Sequence, residues 1–137
     1  MRARAVDAPH LAALHGLCFD KGWPEADFAH HISRDLTYTD PDHASLLVIR
    51  DGGGQAEILT LCTHPNARGR GLARTLLAEA LPHITARALF LEVAEDNAPA
   101  IGLYRSLGFI PFGRRPAYYR RDDGRVAALL MEKRLHD

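Results

Sequence analysis

The apolar run "EILTLCT" (Glu57 to Thr63) passes straight into "HPNARGRGLARTLL" (His64 to Leu77), and this succession restricts the fold more than any other stretch. Ile, Leu and Thr in an unbroken run suit a central strand. Beyond the bend, Leu72, Leu76, Leu77 and Leu81 recur at the spacing of one helix face. Pro82 lacks the N–H that the helix ladder needs, so the helix kinks or stops there. A second run, "ALFLEV" (Ala88 to Val93), has almost no alternation and is the kind of strand that a sheet buries on both faces. Strand, helix and strand in that order belong to the α/β class.

The rest of the chain fills in around this unit. "RARAV" reads as a short first strand. From Ala8 to Phe19, apolar Leu11, Leu14, Leu17 and Cys18 mark an amphipathic helix. "PEADFAHHI" is a second helix opened by Pro24, with Phe28 and Ile32 on one face. "LTYTDPDHA" carries turn residues and reads as a loop; "SLLVIR" is a strand, and "DGGG" a turn. "NAPAIGLYRSLGF" is a compact helix with Asn97 at its N-cap, Pro99 in its first turn and Gly108 just past its end. "FIPFG" and "RVAALLMEKRL" are strands, the second preceded by the hairpin signal Asp123-Gly124. The order β-α-α-β-β-α-β-α-β-β predicts a single mixed central sheet flanked by helices. At 137 residues the whole chain, 1–137, is expected to form a single domain.

Composition removes several function classes. Lys+Arg and Asp+Glu both number 17, so the positive excess of a nucleic-acid-binding protein is missing. No run of about 18 apolar residues could span a membrane, and the N-terminal stretch lacks the apolar core of a signal peptide. A cytoplasmic protein is expected. Cys18 and Cys62 lie in apolar segments and read as buried free thiols, not as a disulfide. The eight histidines form no HExxH and have no cysteine partners; His30-His31 reads as an exposed helix face, and no metal is expected.

The glycine bend carries chemistry. Gly69 and Gly71 lack a Cβ and let a ligand approach the backbone closely. The helix behind them directs free N–H groups and its dipole into the bend, which favours an anion. No Gly-Lys-Ser/Thr follows, so this is not a P-loop, and the third glycine of the dinucleotide fingerprint is missing. R-x-x-G-x-A by itself fits a basic loop as well as a phosphate site.

Three ordered segments narrow the choice. Arg68-x-x-Gly71-x-Ala73 between strand and helix resembles the pyrophosphate-binding motif of the GNAT superfamily of N-acetyltransferases. "FLEVAEDNAPAIGLYRSLGF" (Phe90 to Phe109) resembles the second half of that superfamily's acetyl-CoA site, and "GRRPAYYRRDDGRVAALLM" (Gly113 to Met131) the C-terminal signature of its ribosomal-protein-alanine N-acetyltransferase branch, the RimI type. The resemblance covers about Glu57 to Met131. It implies the GNAT fold, acetyl-CoA as co-substrate, and a protein N-terminus, a ribosomal-protein alanine, as acceptor.

Residue by residue, the resemblance assigns the coenzyme to Arg68, Gly69, Arg70, Gly71, Leu72, Ala73 and Arg74, with Asn97 as a further contact that an N-cap role also explains. Main-chain groups of Leu61, Cys62 and Thr63 are expected to hold pantetheine and the acetyl carbonyl, where a backbone N–H can stabilise an oxyanion. Backbone does this work, so Cys62 is expected to be a small buried hydrophobe. An amine attacks a thioester only when neutral, yet an α-amine with a pKa of about 8 is largely protonated at neutral pH. Glu92 interrupts an apolar strand, where a carboxylate is costly unless paired or set in a cavity. The resemblance makes it the general base, with Glu57 the other candidate carboxylate. Tyr104 is the implied acid for the departing thiolate; a core tyrosine is the plainer reading. Arg115, Tyr118 and Tyr119 are the implied acceptor-binding residues.

One departure stands out. Only "SLLVIR" and "DGGG" fit where the family usually has two strands before "EILTL", so the sheet is expected to be one strand short. A small-molecule amine, another protein acceptor, or a non-catalytic acetyl-CoA-binding module are the alternative functions.

Overall fold

The computed structural model of the chain describes residues 1–122 and 124–136. Its elements run α1 (Ala8–Cys18), α2 (Glu25–Arg34), β1 (Leu36–Thr39), β2 (Ser45–Asp51), β3 (Gln55–Thr63), α3 (Leu72–Ala80), β4 (Ala88–Ala94), α4 (Ala98–Ser106), β5 (Ile110–Arg121) and β6 (Gly124–Arg134). The strands form one six-stranded sheet in the order β1-β2-β3-β4-β6-β5. β3 and β4 are parallel, whereas β1–β2, β4–β6 and β5–β6 are antiparallel. The expected α/β class and the single mixed sheet are both present.

The strand taken to be missing is there. Leu36–Thr39, read as the start of a loop, is β1 and pairs with β2 from Leu36↔Ile49 to Thr39↔Leu46. Its hydroxyls find acceptors along the backbone: Thr37 Oγ1 donates to the Asp35 carbonyl and Thr39 Oγ1 to that of Ser45. The turn begins only at Asp40, whose carboxylate takes the Ser45 N–H at 2.7 Å. The expected first strand, by contrast, is not one. Arg2 makes a single bridge to Tyr38, and Ala5–Asp7 is a 3-10 turn held by the Arg4 N–H donating to Asp7 Oδ2 at 2.7 Å. The count of six strands stands with a different membership.

Pro82 ends α3 as its missing N–H requires, and Leu81–His83 continues as a 3-10 turn. "FIPFG" is the opening of a longer strand, since β5 continues to Arg121. Of the hairpin signal, Gly124 adopts φ +136° at the start of β6, while Asp123 lies outside the described residues.

The chain divides into two compact units. The first comprises Met1–Asp51 and Ile58–Ile84. Leu11 and Leu14 of α1, Phe28 of α2, Leu46 and Val48 of β2 and Cys62 of β3 make its core, with Trp23, Ile32 and Leu59 packed against them. Leu76, Leu77 and Ala80 of α3 are buried as well. Cys18 and Cys62 are both free thiols. His30 is exposed, but His31 is not the free surface residue its sequence context implied. Its Nδ1 bonds Asp35 at 2.7 Å and its ring packs 4.8 Å from that of Trp23. The second unit, Gly52–Glu57 with Thr85–Asp137, holds β4, β5, β6 and α4 around Leu89, Leu91, Val93 and Met131. Among the described residues no helix is long and apolar enough to cross a membrane.

His15 is the polar centre of the first unit. Its Nδ1 accepts the Trp23 N–H at 2.9 Å, which leaves the ring proton on Nε2 to donate to Thr60 Oγ1 at 3.1 Å. Phe19, Trp23 and Phe28 surround the ring at 4.4, 4.8 and 5.4 Å. Burial lowers its pKa from 6.5 to about 4. The unfolded chain therefore binds this proton at a higher pH than the folded one does, and stability falls as pH drops from about 6.5 towards 4. Urea unfolding of wild type and His15→Gln across pH 4–7 tests this: the variant should be less stable at pH 7 and show a shallower loss on acidification. Parallel pH profiles would contradict the burial of a neutral ring.

Candidate active site

In the first unit, β3 delivers Leu61, Cys62 and Thr63 to the start of the glycine bend. Cys62 is buried, and burial pushes its thiol well above the ordinary range, with Cys18 adding to the rise. A thiol held protonated is a poor nucleophile, which agrees with its reading as a small hydrophobe. The Thr63 carbonyl accepts from Arg68 Nε at 3.3 Å and from Cys18 Sγ at 3.5 Å, tying strand, bend and α1 together. Pro65–Ala67 makes one 3-10 turn, capped by His64 Nδ1 accepting the Asn66 N–H.

The two glycines do what only glycine does easily. Gly69 has φ +79° and Gly71 φ +77°, and an added Cβ at either would meet nothing within 4 Å. Gly71 is the N-cap of α3 and supplies no side-chain acceptor. The first N–H groups of a helix have no carbonyl of their own to bind, and here no side chain of the cap takes them. The expected coenzyme residues Arg68 to Arg74 thus form an open, positively charged helix start of the kind that suits a pyrophosphate. Arg70 is steadied by Nη2 donating to the Asn66 carbonyl at 3.4 Å, while Leu72 and Ala73 are half-buried at the head of α3.

In the second unit, Glu92 lies on β4 opposite Leu130 of β6, which is itself opposite Gly113 of β5. Directly opposed residues share a face of an antiparallel sheet, as do residues two apart along a strand. Ala94, Ala128 and Arg115 form the next such row, and Tyr119 opposite Val126 the one after. Between Arg115 and Tyr119 the register slips, with Ala117 at φ +54°. The bulge adds two residues to β5, so the alternation stays in phase and Tyr119 remains on the face of Glu92.

The side chains meet accordingly. Arg115 Nη2 lies 3.2 Å from Glu92 Oε1, and the same guanidinium sits over the Tyr118 ring at 5.6 Å. Tyr118 packs edge-on against Tyr119, centroids 5.1 Å apart. Burial and the nearby Glu92 raise the Tyr119 pKa. Tyr104 is buried on α4 against Phe109, and burial, assisted by Tyr119, pushes its phenol well above the usual range. It keeps its proton at neutral pH, as a donor must. Glu57, the register partner of Phe90, is exposed on the Glu92 face. Asn97 caps α4, Oδ1 accepting the Ala100 N–H at 3.3 Å.

Sequence reasoning missed the ion pairs that brace this hairpin. Arg114 grips Glu95 through Nε and Nη2, and Arg121 holds Asp96 at 3.0 Å through both nitrogens. The arginine cluster and "ED" were visible, but which charges meet depends on strand register.

Residues 36–109 match the model of the Acetyltransferase (GNAT) family. The chain belongs to that family. N-alpha-acetyltransferase RimI of Mycobacterium tuberculosis is 35% identical over 133 residues, covering 84% of this chain and 80% of that protein. An uncharacterised Mycobacterium leprae protein is 36% identical over 125 residues, 83% of this chain, yet the chain spans only 35% of its length. The crystal structure of the Escherichia coli ribosomal-protein-S18-alanine N-acetyltransferase superposes with a TM-score of 0.88 at 26% identity, over 100% of this chain and 93% of that one. Family membership sets the reaction class, acetyl transfer to an amine, with acetyl-CoA as co-substrate.

CoA should therefore raise the melting temperature by mass action. Gly71→Val should lose that shift, because a β-branched residue is strained at φ +77° and would disturb the start of α3 expected to receive the pyrophosphate. Melting curves of both proteins with and without CoA decide it: equal shifts would remove the pyrophosphate from the bend.

Proposed function

We propose that residues 1–137 act as one cytoplasmic catalytic domain that acetylates the N-terminal α-amine of a protein, a ribosomal-protein alanine, with Glu92 as general base and Tyr104 as general acid. The observation that carries this is the gathering of Glu92, Arg115 and Tyr119 on neighbouring positions of one sheet face, with Tyr118 of the bulge packed on Arg115 and Tyr119, linked by the 3.2 Å ion pair and the aromatic contacts. A relative named N-alpha-acetyltransferase RimI, and the fold of one named for S18 alanine acetylation, support the acceptor class.

Each step then has a residue. Glu92 takes the proton of the α-ammonium, directly or through water. The neutral nitrogen attacks the thioester carbonyl, a main-chain N–H of Leu61–Thr63 stabilises the oxyanion, and the C–S bond breaks. Tyr104 protonates the departing thiolate; the nitrogen sheds its second proton as it becomes the amide, that proton restores the Tyr104 phenol through solvent, and Glu92 releases its own to water. Arg68 to Arg74 and Asn97 hold the coenzyme; Tyr118 and Tyr119 hold the acceptor, and Arg115 lines the same site beside Glu92.

Glu92→Gln should slow acetyl transfer on the order of 10²–10⁴-fold with acetyl-CoA affinity retained, and high pH should partly restore it by supplying neutral amine. Near-normal turnover at pH 7 would move the base elsewhere, Glu57 first. Tyr118→Ala should raise the peptide KM and leave that for acetyl-CoA unchanged, the pattern of lost ground-state binding. Alanine-, serine- and glycine-starting peptides assayed beside polyamines and aminoglycosides check the acceptor class. Preference for a small free amine, with the tyrosine variant unaffected, would reject a protein N-terminus.

A further inference from the structure

The Glu92–Arg115 contact poses a chemical problem for a base. The carboxylate is 28% exposed, and the guanidinium occupies Oε1, one of the two oxygens that could collect a proton. Yet the pair is built into the sheet. Arg115 stands diagonally across β6 from Glu92, past Ala128, which offers only a methyl, while Gly113, two residues before it on the same strand, has no side chain to block the way. The other face of the guanidinium rests on Tyr118 at 5.6 Å, a cation–π seat that remains when the carboxylate is given up. Arg114 and Arg121, committed to Glu95 and Asp96, brace β5 on either side of this side chain.

Resting on the assignment of Glu92 as base, we propose that Arg115 is a positioning residue that holds the place of the acceptor's α-ammonium on Glu92 and is displaced by it. At neutral pH the acceptor arrives mostly as a cation, with an α-amine pKa of about 8. It exchanges one cation for another at the carboxylate, so no unpaired charge is left in a half-buried site. A neutral N-terminus gains nothing by the exchange. The acetylated product is neutral too, and the guanidinium returns to Glu92 as the product leaves. Arg115 thereby ties the site's preference to the charge of the group that is to be acetylated.

A direct contact between Arg115 and the peptide would make its loss weaken acceptor binding; a competitor's loss strengthens it. Arg115→Gln should lower the KM for an alanine-starting peptide about two- to fivefold, the scale of a partly exposed ion pair, with the KM for acetyl-CoA unchanged. Arg115→Lys should restore the wild-type value. In a Glu92→Gln background, calorimetric titration of the peptide into the CoA-bound protein should show no gain from removing Arg115. If Arg115→Gln misfolds by its melting curve, Arg115→Met, which keeps the aliphatic stem, decides the same question. A raised or unchanged peptide KM, or an equal gain in the Glu92→Gln background, overturns the place-holding role. Wild type that acetylates no α-amine, or Glu92→Gln that turns over normally, overturns the assignment of the base and this role with it. Normal dependence on Glu92 with a raised or unchanged KM overturns this role alone.

Discussion

The seven-pair antiparallel ladder between β4 and β6, Ala88↔Arg134 to Ala94↔Ala128, is the constraint on which the second unit depends. Strand alternation has a period of two, so a slip of one residue would turn Glu92 to the face now held by Leu91 and Val93. Leu91 and Val93 are buried and could not be turned outward without loss. Their burial fixes the phase, and the phase fixes which side Glu92 and, through β6, Arg115 and Tyr119 occupy. A charged constellation is thereby placed by apolar residues that touch none of the chemistry.

Charge in the β4–β6–β5 region is arranged in local pairs: Arg114 with Glu95, Arg115 with Glu92, Arg121 with Asp96. Exposed pairs of this kind contribute little stability. Their effect is positional. β5 departs from its ladder between Arg115 and Tyr119, where β6 offers too few partners for the residues present. Two bidentate arginines flanking that gap hold it in one shape, and Tyr118 and Tyr119 project from it. A bulge that lost its clamps would leave the aromatic pair without a fixed aim.

What could be read in the sequence was what is encoded locally. Strand, glycine bend and α3 are specified by composition within about 20 residues, as are the cap at Asn97 and the stop at Pro82. β1 was hidden because its four residues are too few to show a period and the turn residues Asp40, Pro41 and Asp42 follow at once. "RARAV" looked like a strand because its alternation is right; a single carboxylate, Asp7, captures the Arg4 N–H and makes a turn instead. Glu92 was legible as an anomaly, a charge in an apolar run. Its partner was not, since Arg115 lies 23 positions on in the sequence and reaches it only across an intervening strand. His15 was equally silent. Nothing in "AALHGL" shows that Trp23 and Thr60 will fix its tautomer.

A carboxylate base also bears on which amines such a site can serve. At pH 7 an α-amine with a pKa of about 8 is roughly one-tenth neutral, whereas a lysine side chain with a pKa of about 10.4 is neutral in only about one molecule in 2,500. Removing the lysine proton costs over two further pKa units, about 3 kcal/mol, before any contact with the protein is counted. A buried environment that depressed a lysine's pKa could close that gap. Glu92 instead sits on a partly open face, with a guanidinium as its neighbour and phenols beyond. Surroundings of that kind do little to neutralise an incoming ammonium ahead of proton transfer. On the proposed assignment of Glu92 as base, the open face favours α-amines by proton affinity alone, which would leave the tyrosines to discriminate only among first residues.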